Sequence, residues 1–468
     1  MSALRREQLL LAVLSVGLCL SIGATAATNP QLSIALLALA LGLFSASAPA
    51  PAWVGASLTA ALTFKGLVTL GILPSVATYM DMPLAWGALA VALLKRREIN
   101  GFTKRHLRLL AIFAFVVALS WLMHPSEVLR PFLYLALLGE PFAVVGALLA
   151  DPPSPRARRN LLRLLALLIG AQVPFAVLEL ARFGPSDHIQ GTLYGAGAGA
   201  HTMSAVVLVG AFWAFSSKTG GIAWRRFALV VPMLAIPFLA DAKQVLFASP
   251  AMLLVGNWRG QVRAYAARAI LVGVVLVSLI YFYPAGRTAM MFIHQSESGQ
   301  GGKQATATFV WNKISSDPQS LVFGKGPAET VSRAAFMTTD MLQDENSPLR
   351  ILGLKPASIA IEAQNDAFAE SHGGTSFNSG LSSALGILGD LGLAGTAAYS
   401  ALLASLLIAL RRLRSPEAVA AAGGWAMWAV LGLVFDWWEQ PPFSLVLAVL
   451  SGLALTAGQR CTSTGRAA

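Results

Sequence analysis

Apolar runs of about 20 residues recur along almost the whole of this 468-residue chain. A helix of that length crosses the ~30 Å hydrocarbon layer of a bilayer and satisfies its own backbone hydrogen bonds there. Hydrophobic residues make up 56% of the chain and charged residues 12%, whereas soluble domains carry roughly 25% charged residues. The pattern excludes a water-soluble enzyme, a coiled coil and a disordered chain. It predicts an all-α, polytopic integral membrane protein.

The runs predict about 12–14 transmembrane helices, some of them short for a bilayer. The candidate spans are roughly 8–27, 31–46, 52–73, 82–95, 106–123, 130–150, 160–182, 200–216, 223–240, 242–256, 266–283, 379–409, 419–437 and 441–457. The first run also resembles a cleavable signal peptide, because Arg5 and Arg6 precede Leu9–Leu20 and small residues follow. We favour an uncleaved first span, and the orientation is the same in both cases.

Charge orients these spans. Alternate connections, predicted to face the cytoplasm, hold most of the 34 Lys and Arg residues. By the positive-inside rule, both termini are therefore cytoplasmic and the long segment 284–376 is extracytoplasmic. The net charge of +12 is then explained by basic cytoplasmic connections that face anionic lipid. Nucleic-acid binding is not needed to explain it.

The same topology divides the chain into three parts. Residues 1–283 hold about 11 spans, 284–376 form a large extracytoplasmic loop, and 377–468 hold about 3 spans and a short cytoplasmic tail. Within the loop, Pro327–Gln343 and Pro356–Ser371 each open with a proline, which favours the first turn of a helix. Arg333 is then expected about two turns inside the first of these helices.

Lys65, Glu140, Glu179 and Asp390 are ionisable residues that fall inside predicted spans. Charges at membrane depth are costly and often functional, and structural ion pairs or snorkelling side chains are the alternative. The glycines around Asp390 are interpreted as positions of close helix packing.

Two polar segments interrupt the apolar pattern at the predicted outer face. In Asp241–Gln244, Lys243 lies at the predicted outer face, where the positive-inside rule does not explain a cation. A lysine at such a position can bind phosphate. His188–His201 is rich in glycine, whose backbone N–H groups can approach an anion. A local ion pair and a tight turn are the respective alternatives.

Two loop segments add further candidates. Phe323–Ala335 joins a glycine turn to Arg333, a residue suited to bidentate phosphate contact. His372 has a near-neutral reference pKa and could act as a general base, with a solvated loop histidine as the alternative. The two cysteines, Cys19 and Cys461, are too few for a disulfide framework, and the six histidines show no metal-ligand spacing.

These segments together resemble the bacterial O-antigen polymerase/ligase family of lipid-linked glycan glycosyltransferases. The resemblance rests on Gly191–Leu193, Asp241–Gln244, the large outer loop with Phe323–Pro327 and Ser332–Ala335, and Gly389–Gly395. It covers about 150 residues, and the remainder is similar in hydropathy alone. The chain departs from the family where Phe377-Asn378 replaces His-Asn, Ala242-Lys243 replaces Ser-Arg, and His188 replaces an arginine.

The resemblance implies transfer chemistry on a polyprenyl-diphosphate-linked oligosaccharide at the outer face of the bacterial cytoplasmic membrane. It implies that Lys243, Arg333 and, less directly, Arg287 bind the diphosphate. His372 and Asp390 would act as catalytic base or as orienting groups. His188, Gln244 and Asn378 would position the glycan. No cofactor or metal is implied, and a chain-length regulator or other polysaccharide-assembly proteins are the expected protein partners.

Other functions remain open from the sequence. Within the family, polymerisation as in exopolysaccharide synthesis and ligase-type transfer to another lipid acceptor are both possible. A transporter or flippase would use Lys65, Glu140 and Glu179 along a path, although the large outer loop argues against it. A structural or sensor membrane protein, using that loop to bind a partner, is a further alternative.

Overall fold

The computed structural model describes residues 48–73, 75–95, 100–193, 198–216, 223–256, 302–337, 339, 354–366 and 381–464. The helices that build its bundle are α1 (Ala50–Thr59), α2 (Lys65–Thr69), α3 (Asp81–Lys95), α4 (Gly101–Met123), α5 (Leu129–Ala150), α6 (Pro155–Phe183), α7 (Ala198–Ser216), α8 (Ala223–Leu239) and α9 (Lys243–Gly256). The loop contributes α10 (Gly302–Ile314), α11 (Pro318–Phe323), α12 (Arg333–Phe336) and α13 (Ser358–Asp366), and the bundle is completed by α14 (Ser383–Arg411), α15 (Pro416–Val434) and α16 (Pro441–Thr464).

The predicted fold class is confirmed. Eight helices of the described part are long and apolar enough to cross a membrane, and two shorter apolar helices accompany them: Val230–Leu239 and Lys243–Val255. No strand occurs among the described residues. The protein is therefore an all-α, multi-pass membrane protein. The predicted spans 8–27, 31–46 and 266–283 lie outside the described residues.

Local sequence explains where these helices begin and break. Asn100 accepts the N–H of Thr103 at 2.9 Å, and Ser154 and Ser415 cap α6 and α15 in the same way ahead of a first-turn proline. A π-helical turn, Ala60–Phe64, joins α1 to α2. Its displaced Leu62 carbonyl accepts a hydrogen bond from the Thr192 hydroxyl, so the irregular backbone is satisfied from a neighbouring segment.

The centre of the bundle is aromatic. Phe142 of α5 stacks on Trp425 of α15 at 5.8 Å between ring centroids, and Trp425 meets Trp428 edge-on at 4.7 Å. Tyr399 of α14 and Trp438 lie 5.3 Å apart in the same cluster. Rings at these separations attract beyond their area of burial. The rings join α5, α14 and α15 next to the connection between α15 and α16.

Polar contacts separate the bundle into two ends. At one end Lys95 donates to the Ala48 carbonyl at 3.0 Å, and Arg158 pairs with Glu417 at 2.9 Å. We call this the basic end. At the other, the loop helices contact the end of α4 and the connection after α15, where Arg333 pairs with Asp436. We call it the loop end. Connections predicted to share a side of the membrane therefore meet in the structure.

Two details of the loop and of α14 differ from the prediction. The expected helix over Pro327–Gln343 is wrong at its start, because 327–332 form turns and bends and α12 begins at Arg333. The predicted continuous span 379–409 is broken at Gly392, whose φ of 63° and ψ of −158° are non-helical. The second predicted loop helix is confirmed over its described part as α13, and α10 and α11 were not predicted.

Candidate functional site

Asp436, in the connection between α15 and α16, lies at the centre of the charged groups of the loop end. Its Oδ2 pairs with Arg333 Nη1 at 2.7 Å, and its Oδ1 accepts from Gln440 Nε2 at 3.3 Å. Lys303 of α10 and His201 of α7 are within electrostatic range of the same carboxylate. The 436–440 connection thus brings together groups from the loop, from α7 and from the last two helices.

Arg333 is held at the first residue of α12. Ser332 caps this short helix by accepting the N–H of Ala335 at 3.2 Å. The Ala334 N–H donates to Glu439 Oε2 at 2.8 Å, so a second carboxylate lies at the helix start. The predicted position of Arg333 two turns inside a helix is therefore wrong, and its guanidinium points instead to Asp436.

Asp390 lies buried at the end of the outer segment of α14 and holds the turn before α12. Its carboxylate accepts the N–H groups of Ala328, Glu329 and Thr330 at 3.2, 3.2 and 2.7 Å, and the Thr330 hydroxyl at 2.6 Å. These donors keep the turn out of a helical conformation, with Ala328 at a φ of 57°. With its oxygens occupied in this way, Asp390 is placed to position the Arg333 segment rather than to take a proton from a substrate.

The break in α14 receives the glycine turn of the loop. Carbonyls freed by the break accept hydrogen bonds from Lys325 N to Gly389 at 2.9 Å and from Gly326 N to Asp390 at 3.1 Å. The Ser120 hydroxyl of α4 also donates to the Asp390 carbonyl at 3.0 Å. Residues 323–335 and 389–395, two segments of the family resemblance, consequently form one interlocked unit.

Arg130 fastens this unit to α5. Its guanidinium donates to the Ala328 carbonyl at 3.1 Å, to Glu329 Oε1 at 2.5 Å and to the Lys355 carbonyl at 2.9 Å. Burial raises the pKa of Glu329 to about 7, and Arg130 opposes that rise. Arg130 was not among the site residues expected from the sequence. It could have been recognised as a cation at the predicted outer end of span 130–150, because the positive-inside rule does not favour cations on that side.

Lys243 begins α9 beside the same end of the bundle. It pairs with Asp241 at 2.8 Å across a turn in which Asp241 takes a φ of 48°. The next residue, Gln244, accepts the indole N–H of Trp437 at 2.7 Å. His201 lies within electrostatic range of both Lys243 and Asp436. The local ion pair considered from the sequence is present, and it lies within the larger charged group.

Lys65 adds a further cation to this end. Its ammonium is in electrostatic range of Arg333 and of Asp81, and it makes no ion pair with a described carboxylate. Arg333 is neutralised by Asp436, whereas no described carboxylate contacts Lys65. We call Lys65, Lys243, Lys303 and Arg333 together with Asp436 the Asp436 cluster.

Lys303 in the cluster and Glu439 beside it both have strongly shifted pKa values. Burial lowers the pKa of Lys303 to about 7 against the opposing effect of Asp436. The ammonium donates to the Leu381 carbonyl and lies 5.0 Å from the Phe435 ring centroid. Burial also raises the pKa of Glu439 to about 8. Asp436, Glu439 and Lys303 were not among the site residues expected from the sequence. Asp436 and Glu439 were recognisable there as charged residues at the boundary between two apolar runs.

The glycine-rich segment does not present its first amides to solvent. Glu179 accepts the N–H groups of Gln190 and Gly191 at 2.8 and 2.7 Å, and Gln172 accepts that of Thr192 at 3.0 Å. The anion site suggested for this segment is therefore wrong over 190–192, because internal acceptors occupy these donors. His188 is exposed at the turn and contacts the Phe183 ring at 5.5 Å between centroids.

Three predicted site residues, Arg287, His372 and Asn378, lie outside the described residues. Within the described ranges, no three His, Cys, Asp or Glu side chains gather as a metal ion would require. In comparisons with known proteins, neither a protein-family model nor a curated protein matches this chain.

Proposed function

We propose that this protein is a membrane glycosyltransferase that polymerises or transfers polyprenyl-diphosphate-linked oligosaccharides at the outer face of the bacterial cytoplasmic membrane. One observation carries the proposal. Segments far apart in the chain, 323–335, 389–395 and 241–244, meet at one end of the bundle around the Asp436 cluster. These are the segments in which the sequence resembles the O-antigen polymerase/ligase family.

The charges of the cluster suit a diphosphate. Arg333 pairs with Asp436, and Lys243 pairs with Asp241. Lys303 lies within electrostatic range of Asp436, and Lys65 is not paired with a described carboxylate. A diphosphate ester entering here would gain ammonium and guanidinium donors in a site screened from bulk water, where such contacts are strong. Arg333 supplies the planar fork and the lysines supply compact charges.

The proposed reaction exchanges one bond at the anomeric carbon. A hydroxyl oxygen of the acceptor sugar bonds to that carbon while the bond from the carbon to the diphosphate oxygen breaks. The electron pair of the broken bond stays on the lipid diphosphate, whose charge Lys243 and Arg333 stabilise, with Arg287 as a further candidate. The hydroxyl proton passes to a general base, for which His372 is the sequence-based candidate.

The remaining candidates support this chemistry by position. His188, Gln244 and Asn378 are proposed to orient the glycan, and Asp390 holds the backbone that presents Arg333. Transfer to a growing glycan or to a different lipid acceptor uses the same step. The choice between polymerase and ligase is thus a choice of acceptor.

The test incubates the purified full-length protein in lipid vesicles with polyprenyl-diphosphate-linked oligosaccharide and separates the glycans by size. We expect a ladder of longer glycans for a polymerase, or one product on a second lipid for a ligase. Lys243→Ala should lower the rate of product formation at least about 100-fold if it stabilises the leaving group, by analogy with loss of one oxyanion donor.

The matched control is Lys313→Ala. Lys313 lies on the large loop at the same end of the bundle as Lys243, but it pairs with Glu362 at 2.5 Å, away from the Asp436 cluster. It should leave the rate nearly unchanged. Wild-type protein that consumes no donor would contradict the proposed function, and equal rates for wild type and Lys243→Ala would contradict the role of Lys243 alone.

One observation favours the transporter alternative. Glu140 is fully buried in α5, neither of its carboxylate oxygens has a hydrogen-bond partner among the described residues, and Asp81 interacts with it electrostatically. Buried carboxylates at membrane depth are typical of proton-coupled paths. In the same vesicles, donor that reaches the opposite leaflet without any new glycosidic bond would favour this alternative.

A further inference from the structure

A cavity of about 340 Å³ opens at the basic end of the bundle, opposite the Asp436 cluster. It lies between α4, the end of α14 and α16. Its lining is mostly apolar, with two exceptions of the same charge, and comprises Phe102, Arg105, Ser405, Ile408, Ala409, Arg412, Leu413, Leu455 and Gly458. We call it the α4–α14 groove. Its volume is within the range of small-ligand pockets.

The two arginines of the groove are not neutralised by the described carboxylates of this end. Arg105 and Arg412 are both exposed and form no ion pair with a described residue. Asp151 accepts the Ala50 N–H at 3.3 Å, and Glu417 pairs with Arg158 at 2.9 Å. The groove therefore presents two guanidinium groups over an apolar floor.

An apolar strip continues from the groove towards the middle of the bundle. On α4, Leu109 and Ile112 follow Arg105 at spacings of four and seven residues, which places the three on one helix face. On α14, Ile408 precedes Arg412 by one turn. Ile112 and Ile408 are 50% and 52% exposed in the protein, so these faces are turned to the surrounding lipid.

We propose that the α4–α14 groove binds one anionic phospholipid. The headgroup phosphate contacts Arg105 and Arg412, and an acyl chain lies along Ile112 and Ile408. Two features select this occupant: paired cations at a helix end on the basic side of the bundle, and an apolar strip leading from them into the membrane. Basic pockets between transmembrane helices bind anionic headgroups in this manner. The proposal does not depend on the function of the Asp436 cluster.

The test titrates the detergent-purified full-length protein with palmitoyl-oleoyl phosphatidylglycerol or phosphatidylcholine and counts retained lipids by native mass spectrometry. We expect wild type to retain phosphatidylglycerol in preference. Arg105→Gln combined with Arg412→Gln should weaken that binding about 10- to 30-fold. Arg105→Lys combined with Arg412→Lys should keep it within about threefold, because both charges remain.

The control removes two cations of the same end that lie on α6, outside the groove: Arg159→Gln combined with Arg163→Gln. It should retain phosphatidylglycerol as wild type does. Equal retention of the two lipids by wild type would overturn the proposal, as would equal loss in the control. Displacement of the lipid by millimolar inorganic phosphate would overturn it in favour of a free-phosphate site.

Discussion

Glu439 is a buried acid whose protonation is coupled to the arrangement of the loop end. Its Oε2 accepts the Ala334 N–H, whereas its Oε1 has no hydrogen-bond partner among the described residues. The ionised form would leave a buried negative charge without a contact cation. Burial therefore raises the pKa to about 8, and the group is mainly neutral at pH 7 when the protein is folded.

The pH dependence of stability follows from this shift. Because the folded state binds the proton more tightly than the unfolded state, the contribution of Glu439 is complete below about pH 4.5 and is lost as the pH rises towards 8. The loss is on the order of 5 kcal/mol. The unfolding temperature of the wild type should therefore fall as the pH rises from 5 to 8, and Glu439→Gln should make that fall smaller. Thermal denaturation in detergent measures both profiles.

Glu362→Gln provides the comparison for this experiment. Glu362 is an exposed loop carboxylate paired with Lys313, and the same change of acid to amide there should leave the wild-type pH profile in place. Parallel profiles for wild type and Glu439→Gln would contradict the assignment of a buried proton to Glu439.

The break in α14 is the element that ties the loop to the membrane-spanning bundle. Gly392 ends the outer segment of α14, and Gly324, at a φ of 74° and a ψ of −164°, ends α11 directly against it. A Cβ atom at Gly324 would collide with the backbone of Asp390. The sequence interpretation of glycines as packing positions was therefore incomplete, because one of them also allows the helix to break.

Gly324→Ala tests this close approach. The substitution combines a backbone conformation that only glycine adopts easily with a collision between two backbones, and should destabilise the protein by about 2–5 kcal/mol. Gly184→Ala is the matched comparison, because Gly184 ends α6 at a φ of 69° with no atom within 4 Å of the added Cβ. It should cost about 1–2 kcal/mol.

Thermal denaturation of the two glycine variants gives the comparison directly. Both variants share the backbone strain, so the difference between their losses of stability reports the contact of the loop with α14. Equal losses of stability would show that the loop does not rest on the break in α14.

Across the whole molecule, the connections separate into two chemically different ends. The basic end collects Lys95, Arg158 and Arg412, and the loop end collects the Asp436 cluster. The positive-inside rule then predicts that the basic end faces the cytoplasm. The α4–α14 groove and the Asp436 cluster would accordingly lie on opposite sides of the membrane.

Cysteine accessibility in spheroplasts tests this orientation. After Cys19→Ser and Cys461→Ser, a single cysteine is introduced as Asp187→Cys at the loop end or as Arg159→Cys at the basic end, both at exposed positions. A membrane-impermeant maleimide should label the first variant in intact spheroplasts and the second only after permeabilisation. Labelling in the reverse order would invert the proposed topology.

Hydropathy accounted for most of the fold before any contact was known. Each predicted span that lies within the described residues is helical over most of its length, because a long apolar run has few other ways to satisfy its backbone in lipid. The loop was predicted less well. Its helix starts depend on donors such as the Ala328 and Thr330 amides binding Asp390 about 60 residues away, and no local pattern reports such a contact.

The candidate site shows the same division. Lys243, Arg333 and Asp390 were recognisable as candidates from the sequence because charges beside apolar runs are conspicuous. The distribution of Lys and Arg predicts the direction of the spans. The partners of these residues were not recognisable from the sequence. The pairing of Arg333 with Asp436, the pairing of Arg130 with Glu329 and the contact of the glycine turn with the broken α14 all depend on how the helices pack. Hydropathy and charge are summed along the chain, whereas the partners of a buried charge are set by distances between segments that only folding brings together.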